Sequence, residues 1–71
     1  MRPNVGTLIR LARKRRGLSA RALSAMADLS PSYVGKVESG EIEPSLKAFA
    51  RLALALQLTR QEIWLCVMES A

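Results

Sequence analysis

Arg2, Arg10, Arg13, Lys14, Arg15, Arg16, Arg21 and Lys36 put eight of the chain's eleven cations into its first 36 residues, where Asp28 is the single acid. From Val37 onward three basic residues face five acids. One cationic half beside a slightly anionic one is the footprint of a surface that meets a polyanion. A solvated basic helix without a partner is the plainer reading of the same charges. A membrane-surface helix fits less well, because the basic segment lacks the aromatic-rich apolar face such helices use. Bond-making chemistry has little to work with. There is no histidine and one cysteine, Cys66, which removes Ser-His-Asp and Cys-His catalysis, Cys/His zinc sites and intramolecular disulfides. No enzyme activity, metal, cofactor or small-molecule ligand is expected.

Those cations need a scaffold, and composition indicates its kind. Hydrophobic residues make up 49% of the chain and aromatics only 4%. Alanine and leucine dominate, which suits packed helices far better than a sheet. Seventy-one residues make a single domain, 1–71, without repeats, linkers or low-complexity stretches. No apolar run reaches the ~20 residues of a membrane span, and the N-terminus lacks a signal-peptide layout. The lone cysteine suits a reducing compartment. A cytoplasmic, nucleoid-associated protein is expected.

Caps and periodicity divide the chain into five short helices. Asn4 opens one over about 5–16, with Val5, Leu8, Ile9 and Ala12 at helical spacing. Gly17 ends it after a basic last turn. Ser19 caps a second, about 20–27, with Leu23, Met26 and Ala27 inward. Ser30 as cap and Pro31 at the first helical position start a third, about 31–38, with Val34 and Val37 inward, and Ser39-Gly40 ends it. Ser45 caps a fourth, about 46–56, with Leu46, Phe49, Ala50, Ala53 and Leu56 on one face. Thr59-Arg60-Gln61-Glu62 is a capping box that opens a fifth over about 60–68.

Two two-turn helices joined by a tight turn, about 19–38, form a helix-turn-helix layout. With Gly17-Leu18-Ser19, Leu23, Leu29-Ser30-Pro31-Ser32-Tyr33-Val34, Val37-Glu38-Ser39-Gly40 and Pro44-Ser45-Leu46, the chain resembles the Cro and lambda-repressor (XRE-like) family of small bacterial and phage regulators. Ile9-Arg10, Arg13 and Ala55-Leu56-Gln57-Leu58 extend the likeness over nearly the whole chain. The resemblance implies an all-α, five-helix domain whose third helix enters a major groove about 12 Å wide. It asks for a small residue at 24, met by Ser24, and for a strained turn at 28, where Asp28 stands in place of the usual glycine. Asp28 tolerates positive φ better than most residues.

Carried over residue by residue, the resemblance assigns base reading to the outward side of the third helix: Pro31, Ser32, Gly35 and Lys36, with Tyr33 at the flank. Lys36 offers a donor for guanine O6/N7, and Ser32 can serve several bases. Pro31 and Gly35 offer no side-chain hydrogen bond. Gly35 costs roughly 1 kcal/mol in helix propensity, which close approach of the backbone to DNA would explain; toleration on an exposed face is the plain alternative. Phosphate contacts fall to Ser19, the backbone near Ala20, Arg21, Ser30, Ser39 and Gly40. Arg15, Arg16 and Arg21 shift electrostatic contact toward the first helix and the start of the second. Ala20 replaces the glutamine usual in the family, and Glu41-Ile42-Glu43 replaces a loop that is normally basic. Arg13 and Glu38 match a pair that bridges the first helix to the third; the plain reading is two unrelated surface charges.

The fifth helix, with Ile63-Trp64-Leu65-Cys66-Val67-Met68, is apolar all round. One side can cover the core, and the other is left for an interface. The family usually dimerises through this end, so Leu58, Trp64, Leu65, Val67 and Met68 are the expected homodimer contacts; a missing C-terminal domain covering the patch is the weaker alternative. The implied function is sequence-specific binding of double-stranded DNA at a two-fold symmetric operator, as in phage repressors, restriction-modification controllers or antitoxins. A repressor-like module that binds another protein is the rival, suggested by the sparse recognition side chains and the acidic loop.

Overall fold

The computed structural model describes residues 4–70; Arg2 lies outside them. Four helices begin on the side chain that the sequence offers. Asn4 Oδ1 accepts from Thr7 N–H at 2.8 Å, Ser19 Oγ from Ala22 N–H at 3.0 Å and Ser45 Oγ from Ala48 N–H at 3.1 Å. Thr59 and Glu62 bond reciprocally, at 3.1 and 2.9 Å, as a capping box does. The helices are α1 (Val5–Arg15), α2 (Ala20–Met26), α3 (Tyr33–Glu38), α4 (Leu46–Leu56) and α5 (Arg60–Ser70), with no strand among the described residues.

The start of α3 departs from expectation. Instead of Pro31 opening the helix, Ser30-Pro31-Ser32-Tyr33 form a turn closed by Tyr33 N–H donating to the Ser30 carbonyl at 3.0 Å. Pro31 takes the second place of that turn, where its fixed φ fits well. The helix proper begins two residues later, and Ser32 makes no side-chain cap. At the other breaks, Gly17 and Gly40 hold φ of 70° and 82°, and Asp28 holds 58°. Gln57 also turns left-handed, at 53°, to end α4.

Ile9 and Ala12 of α1, Leu23 and the adjoining Ala27 of α2, Val34 and Val37 of α3, and Leu52 and Leu56 of α4 form one buried cluster. Val5, Leu18, Leu29, Ile42 and Ala55 pack around it half-buried. Two expected core faces hold in part: Leu23 and Ala27, and Ala53 and Leu56, are buried as expected. Met26 is 57% exposed at the end of α2. In α4 the inward side is Ala48, Leu52, Ala53 and Leu56, while Leu46 (86% exposed) and Ala50 face solvent. Leu52 had no place in the predicted stripe. Lys47 and Arg51, one turn apart, mark the outer side of α4 and leave Ala48, Leu52, Ala53 and Leu56 opposite them, against α2; the expected stripe took in Leu46 and Ala50, which lie beside the charges. No helix among the described residues is long and apolar enough to cross a membrane.

Candidate nucleic-acid interface

Ser24 holds the corner between α2 and α3. It is completely buried, and a buried hydroxyl is costly unless it is hydrogen-bonded. Its Oγ donates to the Ala20 carbonyl at 2.9 Å and accepts from Val34 N–H at 3.1 Å. Its carbonyl accepts from Leu29 N–H at 2.8 Å across the turn. Val34 N–H belongs to the first turn of α3, whose amides have no partner within their own helix. Ser24 supplies that partner from the neighbouring helix, where Ser32 does not. The sequence asked only for a small residue at 24; a serine set among Leu23, Ala25 and Ala27 was the available sign of something more.

A second tie fixes the other end of α3. Arg13 Nε and Nη2 donate to the two carboxylate oxygens of Glu38 at 2.7 and 2.9 Å, and Nη1 donates to the Leu18 carbonyl at 2.8 Å. Both side chains are about nine-tenths buried, with 12% and 10% exposure. The fork geometry is the strong form of this interaction. The hydrogen bond to Glu38 raises the guanidinium above its already high ordinary pKa, against the opposing effect of burial. One side chain thus joins α1, the loop before α2 and the end of α3. Beside it Gly6 lets α1 lie directly on α3: a Cβ there would stand 2.4 Å from the Val37 carbonyl oxygen. No local pattern in the sequence marks this contact.

Between these ties α3 presents Ser32, Gly35 and Lys36 to solvent, at the spacing that puts three residues on one helix face. Tyr33, expected at the flank, is half-buried and packed on the core. Of the expected phosphate positions, Ser19, Arg21, Ser30, Ser39, Gly40 and Arg16 are exposed, and Ala20 is half-buried against the core. Ser39 Oγ donates back to the Lys36 carbonyl at 3.0 Å. Arg15 is placed differently from expectation: it pairs with Glu62 of α5 rather than standing beside Arg16. Glu41 and Glu43 are exposed, with Ile42 turned inward between them.

On α5, Cys66 is buried and Ile63 half-buried, while Trp64 (62%), Leu65, Val67 and Met68 stand about half in solvent or more. Leu58, which follows the left-handed turn at Gln57, is half-buried on the core and lines the same groove as Leu65. Leu11 of α1, exposed and lining the same groove as Leu65, was not singled out from sequence. Burial, then the charge of Glu62, pushes the Cys66 thiol above its ordinary pKa. Glu62 is held below its own ordinary value, first by the Thr59 amide and then by Arg15. Among the described residues no cluster of His, Cys, Asp or Glu could hold a metal ion.

A short helix clamped at both ends across a two-helix corner, in an all-α domain, defines a helix-turn-helix protein. A helix-turn-helix family model matches residues 3–63, and the chain belongs to that family, in its Cro and lambda-repressor branch. It is 33% identical over 61 residues to the HTH-type transcriptional regulator SlrR of Bacillus subtilis (strain 168). That match takes in 84% of this chain but 40% of the relative, so the chain spans less than half of that protein's length. No solved structure matches it.

Proposed function

We propose that this chain is a DNA-binding transcriptional regulator that occupies a two-fold symmetric operator as a homodimer. The observation that carries the reading is the doubly tied α3, whose exposed face joins Ser32, Gly35 and Lys36 within the cationic half of the chain. A helix fixed this firmly can hold a donor against a base edge. Lys36 reads a base, Ser32 assists, and Arg16, Arg21, Ser19, Ser30, Ser39 and the backbone at Ala20 and Gly40 position phosphates. Arg15 stays with α5. Leu58, Trp64, Leu65, Val67 and Met68 form the dimer contact, with Leu11 extending it.

The test is a binding titration against salt on an operator selected from random duplex and on scrambled duplex. Affinity for both falls steeply with salt if phosphates dominate. Lys36→Ala should cost roughly 1–3 kcal/mol on the operator alone. Arg16→Ala should weaken both and make the salt slope shallower by about one unit. Equal losses from Lys36→Ala on the two duplexes would reduce Lys36 to a phosphate contact. Sedimentation tests the dimer: Val67→Asp should give monomer, and a wild-type chain that stays monomeric at high concentration contradicts it. The exposed Glu41 and Glu43 favour the alternative, a module that binds another protein; binding insensitive to salt would support that reading instead.

A further inference from the structure

The four glycines of this chain are not placed for one reason. Gly17 and Gly40 hold positive φ, and Gly6 leaves no room for a Cβ. Gly35 has neither constraint. It lies inside the six-residue α3, is exposed, and a Cβ built there would meet nothing within 4 Å. Glycine is the poorest helix former after proline. Nothing inside the chain requires a bare Cα at this position.

We infer that Gly35 is a steric specificity determinant: its bare Cα lets the main chain of α3 close on a base-pair edge, where a thymine C5-methyl fills the space a side chain would take. The inference rests on the DNA-binding reading above. A residue without a side chain cannot read donors and acceptors through one, so it discriminates by shape. On the major-groove edge the protruding apolar group is the thymine methyl. Lys36, the next residue, supplies the polar contact. The reading face is therefore a recess beside a donor, and the operator carries an A·T pair next to the guanine that Lys36 reads.

The experiment uses the operator selected by the wild-type chain, with each thymine replaced in turn by deoxyuridine to delete its methyl. One position in each half-site, adjacent to the Lys36 contact, should lose affinity several-fold with the wild type. G35A should bind the thymine operator about tenfold more weakly while changing less than about twofold on scrambled duplex, which phosphates hold. On the deoxyuridine operator, where the alanine methyl occupies the vacated space, most of that loss should be recovered. The melting temperature of G35A should rise by several degrees, which separates lost binding from lost fold. Undiminished operator binding by G35A overturns the proposal, as does an operator with no methyl-sensitive position. A wild-type chain that binds no duplex at any salt overturns the DNA-binding reading itself, and the inference with it.

Discussion

At the corner between α2 and α3 the polar groups withdrawn from water have named partners, whereas along the outer side of α5 the large apolar side chains stand half in solvent or more. The corner is built from small residues and directional bonds: Ser24 bridges two helices, and Arg13 grips Glu38 with a fork. No described side-chain polar atom is buried without a hydrogen bond. The outer side of α5 offers area without direction, Trp64 above all. Hydrogen bonds fix orientation because they weaken steeply off-axis, while apolar burial rewards contact in almost any orientation. A surface that must present a helix at one angle needs the first kind of construction. A surface that must only be covered can rely on the second.

The comparison breaks most easily at Arg13. Arg13→Ala leaves the Glu38 carboxylate largely buried without its cation, which should cost about 2–3 kcal/mol and lower the melting temperature by more than about 8 °C in a domain of this size. Operator affinity should fall with it, since α3 loses its tie to α1. A thermal melt within a degree or two of wild type would make the pair an ornament. Ser24→Ala should cost less, about 1–2 kcal/mol, because it strands one buried amide rather than a charge. Hydrogen exchange should then speed up at Val34 before it does in α1 or α4; uniform acceleration would mean the bond does no more than fill space.

At the α5 end the polar tie sharpens the contrast by being weak. Glu62 has a folded pKa below its ordinary 4.5, so its contribution is present above that value and fades as pH falls through the lower, folded pKa. Its pair with Arg15 is solvent-exposed on the arginine side, so Glu62→Gln should cost less than about 1 kcal/mol at neutral pH. The wild type should show an acid-side step in α5 hydrogen-exchange protection as Glu62 is protonated, and the variant should lack it. If Glu62→Gln instead destabilised the chain as much as Arg13→Ala, the two ends would not differ in kind.

How far the sequence discloses all this depends on the type of interaction. Caps are local, so Asn4, Ser19, Ser45 and the Thr59–Glu62 box were legible, as were the breaks at Gly17 and Gly40. The start of α3 was misplaced by two residues because Pro31 suits a turn as well as a helix start. Leu52 falls outside the expected stripe and Leu46 inside it because that stripe leaves out of account Lys47 and Arg51, the charges that mark the outer side of α4. Arg13–Glu38 was legible through family resemblance, not from the residues themselves, which lie 25 positions apart. The contact of Gly6 with Val37 and the double bond of Ser24 have no local signature. The diversion of Arg15 to Glu62 has none either, since it depends on where α5 comes to rest.

The amide of Val34 takes its acceptor from α2, and Ser32 at the head of α3 makes no capping bond. Mutational variation at the reading end is thereby separated from the survival of the fold. In most helices the residue at the N-terminal boundary is constrained by its capping duty; here that duty lies with a residue hidden from any partner. On the proposed reading, exchanging Ser32 or Lys36 alters which address is recognised while leaving the recognising helix intact. A lineage built on this scaffold can acquire a new target by single steps, without passing through an unfolded ancestor.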